Sequence, residues 1–160
     1  MTNQKEKRWD PFVMDVVAGK TVGFVGYGHI AQQTAGLCKA LGMRIIACRR
    51  SSGGEDVVAP SQTYAPADRL KIFAEADYVV CSLPGTAQTQ DFCGAQEFGA
   101  MKSTGVFVSL GRGAAVDEAA LVDVLQKGQI RGAALDVFKE EPLPASSPLW
   151  ALGDKIWITA

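Results

Sequence analysis

No apolar run in this 160-residue chain approaches the roughly 20 residues that a membrane helix needs. Its first ten residues, MTNQKEKRWD, are polar and lack the apolar core of a secretory signal. Neither sign of charge is in excess: 16 Lys and Arg stand against 17 Asp and Glu, a net charge of -1. With no basic face or arm, nucleic acid is not an expected partner, and neither is a membrane. Only four cysteines occur, Cys38, Cys48, Cys81 and Cys93, and none has a metal-ligand spacing. Each lies in or beside an apolar segment, where a free thiol packs as a small hydrophobe. That usage fits a reducing, cytoplasmic compartment. No internal repeat or low-complexity tract interrupts the chain.

What is present is a repeating alternation. Six apolar runs read as strands: TVGFVG (21–26), RIIAC (44–48), YVVCS (78–82), VFVSL (106–110), GAALDV (132–137) and KIWIT (155–159). They are apolar throughout rather than alternating, as expected of strands covered on both faces. Between them lie helical patterns. Residues 29–41 place Ile30, Thr34, Leu37 and Leu41 at helical spacing, with Gly42 suited to the C-terminal cap. Residues 117–127 open with Asp117 as N-cap, turn Leu121, Val124 and Leu125 inward and stop at Gly128. Shorter helices are expected over 66–75 and 95–101. The pattern predicts an α/β fold with a Rossmann-type, doubly wound parallel sheet of about six strands. Residues 19–160 form this domain and 1–18 a lead-in segment. Ligands of such sheets bind at the carboxyl ends of the strands.

The first strand runs directly into Gly26-Tyr27-Gly28-His29-Ile30-Ala31, at the start of a helix. In that context G-x-G-x-x-[GA] is a dinucleotide-binding signal. Gly26 allows the tight turn, Gly28 lets a pyrophosphate approach the backbone, and Ala31 fills the close helix–strand contact. The helix N-terminus offers free N–H donors and partial positive charge to the phosphates. His29, the one histidine, and Ile30 belong to this loop. His29 reads as a pyrophosphate or solvent contact rather than as a catalytic acid.

An NAD site places a carboxylate after the second strand, about 20 residues past the glycine loop. Here Arg49, 23 residues beyond Gly26, is followed by Arg50, Ser51 and Ser52. Guanidinium and hydroxyl donors complement a dianionic 2′-phosphate, which a carboxylate would repel. NADP(H) is the preferred cofactor, with NAD(H) as the alternative if the two arginines are merely solvated.

The strand 106–110 ends by delivering Arg112 between Gly111 and Gly113. A guanidinium is a planar fork of donors suited to a carboxylate. Flanking glycines let substrate and backbone come close. The competing reading has Arg112 cap the following helix or pair with Asp117.

From Gly19 onward the chain resembles the cofactor domain of the D-isomer-specific 2-hydroxyacid dehydrogenases. The motifs that carry the resemblance are GYGHIA, SLPGTAQTQDF and the run from MKSTGVFVSLGRGAAVDE to DVFKEEPLPASSPLW. The family includes glyoxylate/hydroxypyruvate reductases, phosphoglycerate dehydrogenases and D-lactate dehydrogenases. The resemblance implies an oxidoreductase that moves hydride between a nicotinamide cofactor and a small 2-oxoacid, as a homodimer. It makes Arg112 the residue that binds the acid. Glu141, before Pro142, becomes the partner of a catalytic histidine, with Glu140 its neighbour. Asp136 lies near the nicotinamide amide, and Leu83 and Pro84 line the adenosine side. The family's histidine follows the sixth strand, where this chain reads KIWITA and stops. The expectation is therefore a cofactor domain without its substrate domain, able to bind NADPH but with little turnover alone. A non-catalytic NAD(P)-sensing module, like the corepressors that share this fold, is the alternative function.

Overall fold

A computed structural model describes residues 5–11, 14–51 and 56–159. Seven parallel strands form one sheet: β1 (Thr21–Val25), β2 (Arg44–Cys48), β3 (Gln62–Tyr64), β4 (Tyr78–Cys81), β5 (Val106–Ser109), β6 (Gly132–Leu135) and β7 (Ile156–Ile158). Their spatial order is β3-β2-β1-β4-β5-β6-β7. The chain works outward to one side from β1, then returns to its other side at β4. That reversal is the switch point at which doubly wound sheets open a crevice.

The six runs read from sequence each supply a strand. β3 was not among them. It is a three-residue edge strand, exposed along most of its length and with no apolar run to announce it. It forms because β2 offers a free edge, pairing Ile46 with Gln62 and Cys48 with Tyr64.

Among the described residues four α-helices cover the sheet: α1 (His29–Ala40), α2 (Arg69–Glu75), α3 (Ala95–Ala100) and α4 (Glu118–Gln126). α4 follows the sequence closely. The Asp117 carboxylate accepts from Ala120 N–H at 3.1 Å, and Leu121, Val124 and Leu125 are buried. α1 forms where expected but faces differently. Its buried residues are Ala31 and Ala35, whereas Ile30, Leu37 and Leu41 are 59–71% exposed. Small residues let the helix lie close to the sheet, so the bulky ones turn outward. Two buried clusters pack on the sheet, the larger containing Phe73, Phe98 and Phe107 and the smaller Phe24, Tyr27 and Ile45. Burial of apolar area at roughly 25 cal/mol per Å² is the main stabilising term. Among the described residues no helix is long and apolar enough to cross a membrane.

The last residues of the central strands share one row: Cys48, Val25, Cys81, Ser109 and Leu135 are partners in register. The loops that leave this row carry every candidate site residue.

Candidate active site and cofactor groove

The β1–α1 loop turns at Gly26, whose φ of +85° is left-handed and favours glycine. Gly26 N–H donates to the Cys48 carbonyl at 2.9 Å, and its own carbonyl accepts from Ser82 Oγ at 2.9 Å. The turn is thus tied to β2 and to the end of β4. A Cβ added at Gly28 would meet nothing within 4 Å, so the space above it is open. No side chain caps α1, and its first turn holds no acidic residue. Its leading N–H groups therefore keep their donors and partial positive charge for an anion. The donors, the open space and the sign of charge all fit a pyrophosphate.

Above this loop lies a groove of about 470 Å³. Three segments supply most of its wall, the glycine loop, residues 48–51 at the end of β2 and residues of the segment after β4, and Gln32 of α1 and Pro66 after β3 complete it. Gly26, Tyr27, Gly28, Leu83 and Pro84 all line it, as do Arg49, Arg50 and Ser51. Ser52 falls outside the described residues. His29 and Ile30 are exposed at the first turn of α1 and do not line the groove.

The two arginines differ. Arg49 makes a forked ion pair with Asp56, Nη1 to Oδ1 at 2.6 Å and Nη2 to Oδ2 at 2.8 Å. Both side chains are largely buried, 14% and 11% exposed. Hydrogen bonding to Asp56 holds the Arg49 pKa above its ordinary value. The guanidinium also lies over the Tyr27 ring, 5.6 Å from its centroid. Tyr27 in turn donates its hydroxyl to the Val58 carbonyl at 2.7 Å. Burial, with Asp56 adding to it, raises the Tyr27 pKa, so the phenol stays protonated at neutral pH. Arg50 instead is exposed, and its Nη1 reaches Gln88 Oε1 at 3.0 Å across the groove mouth. Cys48 forms part of the floor, where burial pushes its thiol up to about 11.

Farther along the carboxyl edge stands Arg112, exposed on the loop after β5. It neither caps α4 nor pairs with Asp117: Nη1 donates to the Gly111 carbonyl at 3.0 Å, while Asp117 does the capping. Its flanking glycines have a different cause from the one the sequence suggested. A Cβ on Gly111 would lie 2.4 Å from the Leu83 carbonyl oxygen, and one on Gly113 1.9 Å from the Phe138 carbonyl. Neighbouring backbone, rather than substrate, requires glycine at both positions.

Glu141 is exposed on the loop after β6 and accepts from Phe138 N–H at 2.9 Å through Oε1. Asp136 leaves the end of β6, donates its N–H to the Ser109 carbonyl and accepts from Thr159 Oγ1 at 2.7 Å. Arg112, Asp136 and Glu141 thus share the edge on which the groove opens but do not line the groove itself. Residues that sequence reading missed are Gln32, Asp56, Gln88, Thr89 and Phe92. Gln88, Thr89 and Phe92 lie within the SLPGTAQTQDF motif, which marks the family but not their place in the groove; Gln32 and Asp56 carry no such signal, and folding brings them to the site.

The family profile for the NAD-binding domain of the D-isomer specific 2-hydroxyacid dehydrogenases matches residues 1–160. The chain is 42% identical to a glyoxylate reductase of Aeropyrum pernix over 145 residues, covering 89% of this chain and 43% of that protein. It is 40% identical to a glyoxylate/hydroxypyruvate reductase B of an Enterobacter species, covering 92% and 45%. The chain therefore spans less than half the length of these relatives. Among solved structures, a D-isomer specific 2-hydroxyacid dehydrogenase family protein from Aeromonas salmonicida superposes with a TM-score of 0.90 at 34% identity, covering 99% of this chain and 50% of that one. An NADPH-dependent glyoxylate/hydroxypyruvate reductase from Sinorhizobium meliloti, solved with NADP and sulfate, gives 0.84 at 29% identity, covering 99% and 50%. With its parallel sheet, its glycine loop and a family match along its whole length, the chain belongs to the D-isomer specific 2-hydroxyacid dehydrogenases and corresponds to their NAD-binding domain.

Proposed function

We propose that this chain is the cofactor-binding half of a cytoplasmic, dimeric reductase that uses NADP(H) and acts on a small 2-oxoacid of the glyoxylate or hydroxypyruvate kind. The observation that carries this reading is the layout of the carboxyl edge. An anion-binding glycine loop opens a groove at one end, and an exposed guanidinium, Arg112, stands on the same edge beyond it.

In this reading Gly26, Tyr27 and Gly28 receive the pyrophosphate, and Arg50 with Ser51 receives a 2′-phosphate. Among the described residues immediately after β2, those that line the groove are Arg49, Arg50 and Ser51, and none of them is a carboxylate. Leu83 and Pro84 cover the adenosine. A bound nicotinamide dinucleotide supplies the hydride. Arg112 binds the carboxylate of the oxoacid with charge-assisted hydrogen bonds, each contributing roughly 1.5–3 kcal/mol. The same guanidinium stabilises negative charge as it develops on the oxo oxygen. Asp136, steadied by Thr159, takes the amide end of the cofactor. Glu141 holds the tautomer of a general-acid histidine, which protonates that oxygen. The exposed Leu37 on α1 and Leu41 at its C-terminal cap suit a subunit contact.

Calorimetric titration of the chain with NADPH and NADH tests the cofactor assignment. The expected result is tighter binding of NADPH; equal or tighter NADH binding would refute it. For the reaction, the full-length protein carrying this domain should oxidise NADPH with glyoxylate or hydroxypyruvate. Arg112→Lys should raise KM and lower kcat, because an ammonium cannot fork across a carboxylate.

A further inference from the structure

Two adjacent arginines after β2 look interchangeable as phosphate ligands. Their surroundings differ. Both terminal nitrogens of Arg49 are held by Asp56, and its Nε is buried with no hydrogen-bond partner among the described residues. Presenting its Nη1/Nη2 edge to a ligand requires breaking that ion pair. Arg50 is exposed, and among the described residues its one hydrogen-bond partner is the neutral amide of Gln88. Asp56 itself does not line the groove; it stands behind Arg49.

The residues beside Asp56 explain the arrangement. Val57 N–H donates to Gln32 Oε1 at 3.0 Å, and the Val58 carbonyl accepts from Tyr27. Three successive residues, Asp56, Val57 and Val58, are thereby fastened to β2, α1 and the glycine loop. Arg49 sits between the carboxylate on one side and the Tyr27 ring on the other. Its charge is matched within the protein before any ligand arrives.

We infer that Asp56 is a specificity-positioning residue: by engaging the terminal edge of the Arg49 guanidinium, whose Nε is itself buried, it turns that arginine away from the cofactor and commits 2′-phosphate recognition to Arg50. Arg49 is then an internal tie that shapes the groove wall for either dinucleotide. Arg50 is the side chain that distinguishes them. The inference rests on the reading of the groove as a cofactor site that prefers NADP(H).

The test compares 2′,5′-ADP with 5′-AMP, which differ only in the 2′-phosphate, by calorimetry on the 160-residue chain. Arg50→Ala should weaken 2′,5′-ADP by about ten- to hundredfold, the effect of losing charge-assisted bonds to phosphate, and leave 5′-AMP unchanged. Asp56→Asn should release Arg49 and raise the preference for 2′,5′-ADP several-fold. Arg49→Ala should lower the melting temperature and weaken both ligands by a similar factor. If Arg49→Ala does not fold, Arg49→Lys takes its place with the same expectation for the ratio. A selective loss of 2′,5′-ADP in the Arg49 variant with Arg50→Ala unaffected would overturn the inference alone. So would an Asp56→Asn variant whose preference equals that of the parent chain. Wild-type chain that binds 5′-AMP and 2′,5′-ADP equally removes the NADP(H) preference, and with it the inference. Binding of neither nucleotide removes the cofactor reading altogether.

Discussion

Gly113 and Phe138 approach so closely that a Cβ on the glycine would lie 1.9 Å from both the carbonyl carbon and the carbonyl oxygen of Phe138. Gly111 is pressed in the same way against Leu83. Arg112 is therefore held between the loops that follow β4 and β6. Those are the loops that carry Leu83 and Glu141. Gly113→Ala must displace backbone, because no flexible side chain can yield. We expect a loss of at least about 3 kcal/mol, at the upper end of what overpacking costs. Gly99→Ala is the control: it lies in α3 with nothing within 4 Å of the added methyl. Thermal denaturation should show a large fall for the first and no fall for the second.

Tyr27 links the glycine loop to Val58 through a buried hydroxyl. Tyr27→Phe keeps the ring against Phe24, a contact of 5.7 Å between centroids, and removes only the donor. The expected cost is about 1 kcal/mol plus the penalty of an unpaired carbonyl. Urea denaturation should shift the midpoint without changing the slope.

Acid should destabilise the fold through carboxylates far from the site. At the opposite end of the sheet, burial raises the Asp77 pKa, but Thr21 N–H at 2.8 Å and Lys102 at 2.9 Å outweigh it and leave the group below its ordinary value. Glu75 is also lowered, first by the Tyr64 hydroxyl and then by Arg44. A carboxylate lowered in the folded state contributes stability that is complete above its unfolded pKa of about 4. That contribution is lost as pH falls through the folded value. The melting temperature should hold above pH 5 and drop on further acidification, and Asp77→Asn should make that drop shallower.

Cys48 lies on the groove floor with its thiol pushed up to about 11 by burial. At neutral pH it is almost wholly protonated, and the thiolate is the reactive form. Iodoacetamide should leave Cys48 unmodified at pH 7 in the folded chain and alkylate it after denaturation, as peptide mass mapping would show. Rapid modification of the native chain would contradict the assigned environment.

Much of this was readable before folding. The glycine loop, the six apolar runs and the α4 cap are local signals, and each strand, turn and cap formed where its residues dictate. The buried face of α1 was not readable from spacing alone. Two alanines and the outward Leu37 and Leu41 satisfy the same helical period, and only contact with the sheet selects between them. β3 was invisible because its pairing, rather than its composition, makes it a strand.

The sequence by itself determined six of the seven strands and the helices between them, the dinucleotide loop and the position of Arg112 just past a strand end. These follow from apolar patterning and from glycine and capping residues, which act over a few positions along the chain. Tertiary structure alone decided that Gly111 and Gly113 are forced by Leu83 and Phe138, and that Arg49 is tied to Asp56 while Arg50 faces the groove. Such relations depend on distances between segments far apart in sequence, which only the closed sheet brings within reach.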